Sequence, residues 1–260
     1  MTDLLVVGGG KMGEALIGGL LRSGWPAPAD LAVAEPDASR RAELAAAFPG
    51  IAVSEAPVVA AGAIIAVKPQ HALDVCRQLG TLGIPRILSI AAGVRVSSLE
   101  AQLPGGTAVV RAMPNTPALV GAGAAAIAGG TSAAAEDLDW AEAMLGAVGS
   151  VVRVDEAQMD AVTGVSGSGP AYVFLLAEAL IDAGVAVGLD HQTATDLVVQ
   201  TIRGAGELLA TGQPPSLLRE AVTSPGGTTA AGLAVLESAD LRGTVAATVA
   251  AAAARSAELG

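Results

Sequence analysis

Residues 223–229 read Thr-Ser-Pro-Gly-Gly-Thr-Thr, a bend rich in hydroxyls and glycine that could hold a small carboxylate. Pro225 restricts φ, while Gly226 and Gly227 allow a turn whose successive N–H groups point inward at the start of a following helix. Ser224, Thr228 and Thr229 carry hydroxyls that can add donors, so these five positions form the expected carboxylate-binding set. The same residues would also make an ordinary capped helix start after a proline turn. At the other end of the chain, Gly8-x-Gly10-x-x-Gly13 follows the apolar run Leu4–Val7 and opens a helical pattern with Leu16, Ile17, Leu20 and Leu21 on one face. In that context Gly8 allows a tight turn, Gly10 lets the backbone approach a pyrophosphate and Gly13 lets helix and strand pack closely. Lys11 and Met12 complete the turn, and the first helical amides would face the phosphates. Together the two motifs suggest a protein that brings a nicotinamide cofactor to a small acid.

Three further segments leave strand-like runs where open α/β sheets bind ligands. Val67, Lys68 and Pro69 end the run from Ile64. Ala91, Ala92 and Gly93 follow the run Ile87–Ile90, and their small size would let a nicotinamide ring lie flat on backbone. Asn115 and Thr116 lie between Pro114 and Pro117, a stiff loop that could hold polar side chains at a site. Each is equally readable as a plain strand-ending turn. Glu35 ends the second strand and could accept hydrogen bonds from the ribose hydroxyls of NAD, repelling a 2′-phosphate. Ser39, Arg40 and Arg41 follow closely and could receive that phosphate, unless the arginines are simply solvated charges on a helix. NADH and NADPH therefore both stay open. The two histidines read as non-catalytic: His71 as a surface or cap residue, His191 as a residue of a capped helix start. No metal-ligand set is expected.

These residues need a scaffold. In the first part of the chain, short apolar runs at 4–7, 31–34, 64–67, 87–90, 108–112, 124–128 and 151–154 alternate with helical patterns, including 37–48 and 133–148. That alternation predicts a mostly parallel sheet covered on both faces. After about Asp155 strand signals disappear and helical spacing takes over, as in Leu197, Val198, Thr201, Ile202, Ala205, Leu208 and Leu209. The expected division is 1–155, a dinucleotide-binding Rossmann-type domain, and 156–260, an all-α substrate-binding and dimerisation domain. Helices with several apolar faces in so small a unit are expected to pack on a second copy.

Bulk properties narrow the classes. The chain has 260 residues and a formal charge of -11, which argues against a nucleic-acid footprint. Hydrophobic residues make up 52% and mean hydropathy is +0.57. Glu178 and Asp182 interrupt the run 173–189, and the stretch 245–254 is too short to span a bilayer, so the apolarity reads as Ala and Val used in packing. The N-terminus has no basic segment and no cleavage site, and the single Cys76 permits no internal disulfide. A cytoplasmic protein that binds neither nucleic acid nor membrane is expected, with Cys76 as a packing residue.

The chain resembles pyrroline-5-carboxylate reductase. The matching segments run in order over nearly its whole length: 8–13, 67–70, 91–94, 111–117, Gly164 to Tyr172 (Gly-Val-Ser-Gly-Ser-Gly-Pro-Ala-Tyr) and 222–229. The last two are specific to that family. The resemblance implies a Rossmann domain followed by a helical dimerisation domain, reduction of 1-pyrroline-5-carboxylate to L-proline by NAD(P)H, and homodimers or larger assemblies. It further implies that Thr229 lies near the ring nitrogen and helps its protonation, and that no histidine or carboxylate is essential. Ser168 is expected near the nicotinamide, with Pro170 at the first position of a helix beginning there. The carboxylate bend and the nucleotide turn are expected to serve one cleft. The weighed alternatives are a related reductase of another cyclic imine or small acid, and a nucleotide-binding scaffold without turnover.

Overall fold

The computed structural model describes residues 2–259. The first half alternates strand and helix: β1 (Thr2–Val7), α1 (Lys11–Ser23), β2 (Leu31–Ala34), α2 (Ala38–Ala47), β3 (Ala52–Ser54), β4 (Ala60–Ile65), α3 (Pro69–Thr81), β5 (Arg86–Ser89), α4 (Val96–Glu100), β6 (Ala108–Met113), β7 (Gly123–Gly129), α5 (Ala135–Gly146) and β8 (Gly149–Arg153). The eight strands form one sheet in the order β3-β2-β1-β4-β5-β6-β7-β8. Every pairing is parallel except β6 with β7.

The strands are apolar at consecutive positions because both faces are covered. Leu4 and Val6 pack with Leu16, Ile17 and Leu20 of α1 on one face. Leu5 and Val7 pack with Val75, Cys76 and Leu79 of α3 on the other. All of these are 9% exposed or less. A slip of one residue in β1 would exchange the two sets between unlike partners.

β3, absent from the expected strands, is a three-residue edge strand with no buried residue and so carries almost no hydrophobic signal. The strand before Lys68 lies earlier than the expected run 64–67. β4 ends at Ile65, and Pro69 opens α3 with Lys68 as its cap residue.

The helical part comprises α6 (Met159–Val162), a five-residue π turn (Thr163–Gly167), α7 (Gly169–Ala186), α8 (His191–Leu209), α9 (Pro215–Ala221), α10 (Thr228–Ser238) and α11 (Leu241–Leu259). Compactness divides the chain at Ser168, beyond the expected break after Asp155. The first unit runs to Ser168 and includes the chain from Ala250 onward, and the second is Gly169–Val249. The reason is local packing: Met159 of α6 is fully buried with Ala126 and Ala128 of β7, and Ser256 of α11 donates to the Asp160 carboxylate at 2.7 Å.

α7 begins at Gly169, so Pro170 is its second residue, one position from the expected first. Taken together, the helical segments Glu156–Ala186 are long and apolar enough by length and composition to cross a membrane, with a mean hydropathy of 1.4 over the most apolar 18 residues. Glu178 and Asp182 do not interrupt them enough to fail that test, contrary to the sequence reading. No residue of their most apolar window is buried within the chain.

Candidate active site

β1 ends at Val7 and α1 begins at Lys11, so Gly8, Gly9 and Gly10 make the whole bend. Gly8 has φ 104°, and a Cβ there would lie 2.6 Å from the Ala66 carbonyl oxygen, just past β4. A side chain on Gly13 would collide with the Gly8 carbonyl. Both glycines are therefore required by packing. Gly10 differs: a Cβ there would meet nothing within 4 Å. It is exposed and caps α1. The amides of Lys11, Met12 and Gly13 begin the helix and have no intrahelical acceptor. The turn lies at the carboxyl ends of β1 and β4, where the strand order reverses and open α/β folds bind ligands. Open space, free amides and the positive end of the helix dipole fit a dinucleotide pyrophosphate.

Glu35 follows β2, and its carboxylate is fixed by two backbone amides. Oε2 accepts from Gly9 N at 2.8 Å and Oε1 from Asp37 N at 3.0 Å. Asp37 caps α2, accepting from the amides of Ser39 and Arg40. With the Ser39 hydroxyl as the largest contribution, those bonds hold its carboxyl below the usual range. Arg40 and Arg41 are not the freely solvated charges that one reading of the sequence allowed. Arg40 Nε donates to the Gly9 carbonyl at 2.7 Å, and its two terminal nitrogens bind Glu43 and Glu14 at 2.7 and 2.5 Å. Those carboxylates, Glu43 first, raise its pKa above the ordinary guanidinium value. Arg41 donates to the carbonyls of Glu35 and Pro36, each at 2.8 Å.

Further along the sheet, Val67 packs against the Gly8 turn, and Lys68 is exposed and caps α3. Ala91 is buried, Ala92 is exposed and Gly93 has φ 77°. A Cβ on Gly93 would touch Leu259 of α11 at 3.4 Å, so the end of the chain backs this loop. A second brace joins it from the sheet. Arg111 of β6, 3% exposed, donates to Glu156 Oε1 at 2.8 Å. The same oxygen accepts from Val96 N at 3.1 Å, where α4 begins after the loop. Sequence reading did not single out Glu156 or Leu259, because neither belongs to a local motif and both act over long separations.

Asn115 was expected to offer polar atoms to the cofactor, but both ends of its side chain have partners within the chain. Oδ1 accepts from Ala124 N at 2.8 Å and Nδ2 donates to the Ser166 carbonyl at 3.1 Å. That carbonyl lies four residues before Pro170, which has no N–H to give it. Asn115 supplies this carbonyl with the donor that Pro170 lacks. Ser168, immediately before α7, has helical backbone, and its amide donates to Thr163 O across the π turn.

In the second unit, α9 ends at Ala221 and Thr223 Oγ donates to the Arg219 carbonyl at 2.6 Å. Ser224, Pro225, Gly226 and Gly227 form a turn closed by Gly227 N to Ser224 O at 3.0 Å. Proline second and a glycine of φ 71° third give a type II turn. Gly227 caps α10 without a side-chain hydrogen bond. A Cβ there would collide with the Ser224 hydroxyl, which therefore overhangs the helix start. The Thr228 and Thr229 amides, first in α10, have no intrahelical acceptor. Amides, hydroxyls and the helix dipole at one point suit a small carboxylate.

His71 is exposed in the first turn of α3, and His191 is exposed as the first residue of α8, whose cap is Asp190. Among the described residues no group of three or more His, Cys, Asp or Glu side chains is disposed to hold a metal.

Comparison with known proteins agrees with this anatomy. Residues 156–259 match the family described as pyrroline-5-carboxylate reductase dimerisation. Residues 3–93 match the family described as NADP oxidoreductase coenzyme F420-dependent. The pyrroline-5-carboxylate reductase of Mycobacterium tuberculosis (strain CDC 1551 / Oshkosh) is 44% identical over 287 residues, covering 100% of this chain and 97% of that protein. The solved structure of a pyrroline-5-carboxylate reductase from Coxiella burnetii superposes with a TM-score of 0.94 at 34% identity, covering 100% and 98% of the two chains. That of Plasmodium falciparum pyrroline carboxylate reductase with NADP bound gives 0.85 at 31% identity, with coverage of 100% and 98%. With these likenesses extending over the nucleotide turn, the helical region and the bend before α10, the chain belongs to the pyrroline-5-carboxylate reductase family.

Proposed function

We propose that this protein reduces 1-pyrroline-5-carboxylate to L-proline with NADH or NADPH, the last step of proline biosynthesis. The observation that carries the reading is the pairing, in one chain, of a dinucleotide turn with the amide-lined Ser224–Thr229 bend. The full-length likeness to reductases named for this substrate supports it.

The bound nicotinamide supplies a hydride from its C4. The chain's part is to hold two reactants in register and to tolerate the protonated imine. Gly8, Gly10, Lys11, Met12 and Gly13 receive the pyrophosphate, with Glu35 at the ribose. Val67, Lys68, Pro69, Ala91, Ala92 and Gly93 line the route to the nicotinamide, with Ser168 beside it and Asn115 as a brace behind it. Ser224, Gly226, Gly227, Thr228 and Thr229 bind the substrate carboxylate through amides and hydroxyls. The Thr229 hydroxyl helps protonate the ring nitrogen, directly or through water, so that when hydride adds to the imine carbon the π electrons of C=N pass to a nitrogen that already bears its proton. Neither histidine takes part.

The enzyme works as a homo-oligomer in which the apolar helices of residues 156–259 cover one another. On this reading the apolar run Glu156–Ala186 faces protein rather than lipid. The acidic surface leaves no footprint for nucleic acid, and the protein resides in the cytoplasm.

Following NAD(P)H oxidation with pyrroline-5-carboxylate, against a panel of other imines and keto acids, tests the assignment. Turnover confined to another substrate refutes it. Thr229→Ala is expected to lower kcat about 10²-fold or more, as loss of a proton-delivering group does, with cofactor affinity nearly unchanged. A wild-type rate removes Thr229 from the site.

A further inference from the structure

Resting on the reductase reading above, we infer that this chain selects NADH over NADPH and that Glu35 is the specificity-determining residue. The two cofactors differ by a phosphate on the adenosine ribose. In a switch-point fold the residue ending the second strand meets that ribose, and here it is Glu35. Its carboxylate cannot swing aside freely, because it holds the amides of Gly9 and Asp37 at 2.8 and 3.0 Å. Moving it would unpair both and loosen the bend that receives the pyrophosphate.

A 2′-phosphate also needs a cation, and the two nearby arginines are already engaged. Arg40 divides its donors among the Gly9 carbonyl, Glu14 and Glu43. One terminal nitrogen of Arg41 lies on the carbonyls of Glu35 and Pro36, and the other is 3.8 Å from Glu55. Asp37 faces the first turn of α2. The ribose side of the turn thus gathers the carboxylates of Glu14, Glu35, Asp37, Glu43 and Glu55 against two guanidinium groups. A 2′-phosphate adds nearly two negative charges at neutral pH, placed against a fixed carboxylate. The ribose of NADH instead presents hydroxyls, which donate to it. Lys11, the first residue of α1, lies at the pyrophosphate end of the turn.

The test measures the full-length oligomer in two ways. Direct fluorescence titration gives Kd for NADH and NADPH without substrate, and initial rates with pyrroline-5-carboxylate give kcat/KM for each. Both are expected to favour NADH by about tenfold or more, the scale of a like-charge contact in a partly screened site. Parity, a preference for NADPH, or failure to bind either cofactor overturns the inference. NADH-selective binding with no turnover of pyrroline-5-carboxylate upholds it and sinks the proline assignment instead. Glu35→Gln keeps an oxygen for the Gly9 amide and removes the charge, so it is expected to raise kcat/KM for NADPH while NADH changes little. No gain with NADPH in a variant that still uses NADH removes Glu35 from the selection. Arg40→Ala is expected to weaken both cofactors alike, since Arg40 holds the turn. A loss confined to NADPH would instead make Arg40 the phosphate receptor and overturn the proposal.

Discussion

Asn115 and Glu35 stand where ligand-binding residues are expected, yet each first serves the fold. Asn115 stands in for the helical donor that Pro170 lacks, and Glu35 ties the nucleotide bend to the end of β2. Their residue types and positions are readable from the sequence, but their partners are not, because Gly9 and Ser166 lie 26 and 51 residues away. Cys76 is the opposite case, a residue whose bland packing role was anticipated. It is fully buried in α3, and burial pushes its thiol from the ordinary 9.0 up to about 12. Below pH 9.0 the thiol is protonated whether the chain is folded or not. Between 9.0 and about 12 the unfolded thiol ionises while the folded one resists, so stability falls as pH rises through that window. The urea midpoint is therefore expected to drop across it, and to drop less in Cys76→Ala. At neutral pH iodoacetamide should leave the native protein unlabelled and modify it once it is unfolded.

At the scale of elements, α2 depends on Asp37 for its start. Asp37 accepts from the Ser39 hydroxyl and from two first-turn amides, and its carboxyl titrates below the ordinary 3.8. The cap's contribution is thus present above pH 3.8 and lost as pH falls through the depressed value. Asp37→Ala is expected to lower the melting temperature at neutral pH by roughly a few degrees, with a smaller difference in acid. A thermal scan at each pH checks both. Elements with strong periodic signals, such as β1, α1 and α8, were readable from sequence. The edge strand β3 and the π turn before α7 were not. One is three residues long, and the other is a five-residue departure from the α pattern that leaves no periodic signal.

For the whole molecule, the main tension is the apolar surface of α7. This helix is hydrophobic all round, yet none of its residues is buried, and Phe174, Leu175 and Leu176 are 59%, 67% and 54% exposed. A helix of that character requires cover, and the dimerisation region to which it belongs supplies the kind of cover expected, a second copy. Phe174→Asp is expected to shift the assembly to smaller species in light scattering over a range of concentrations, with cofactor binding by the first unit retained. An unchanged mass would exclude Phe174 from the interface.

Covalent pattern and short-range sterics were enough to reveal the two glycine bends, the alternating parallel sheet, the change to helices and the family. Each rests on neighbours within a few residues, where φ restrictions and hydrophobic period act directly. Tertiary structure alone decided that compactness breaks after Ser168, that the chain's last turn backs Gly93, and that Arg111 and Glu156 meet. It also decided that Arg40 and Arg41 are occupied rather than available to a phosphate. Those outcomes depend on which distant groups fill one another's hydrogen bonds, and a linear pattern carries no record of that.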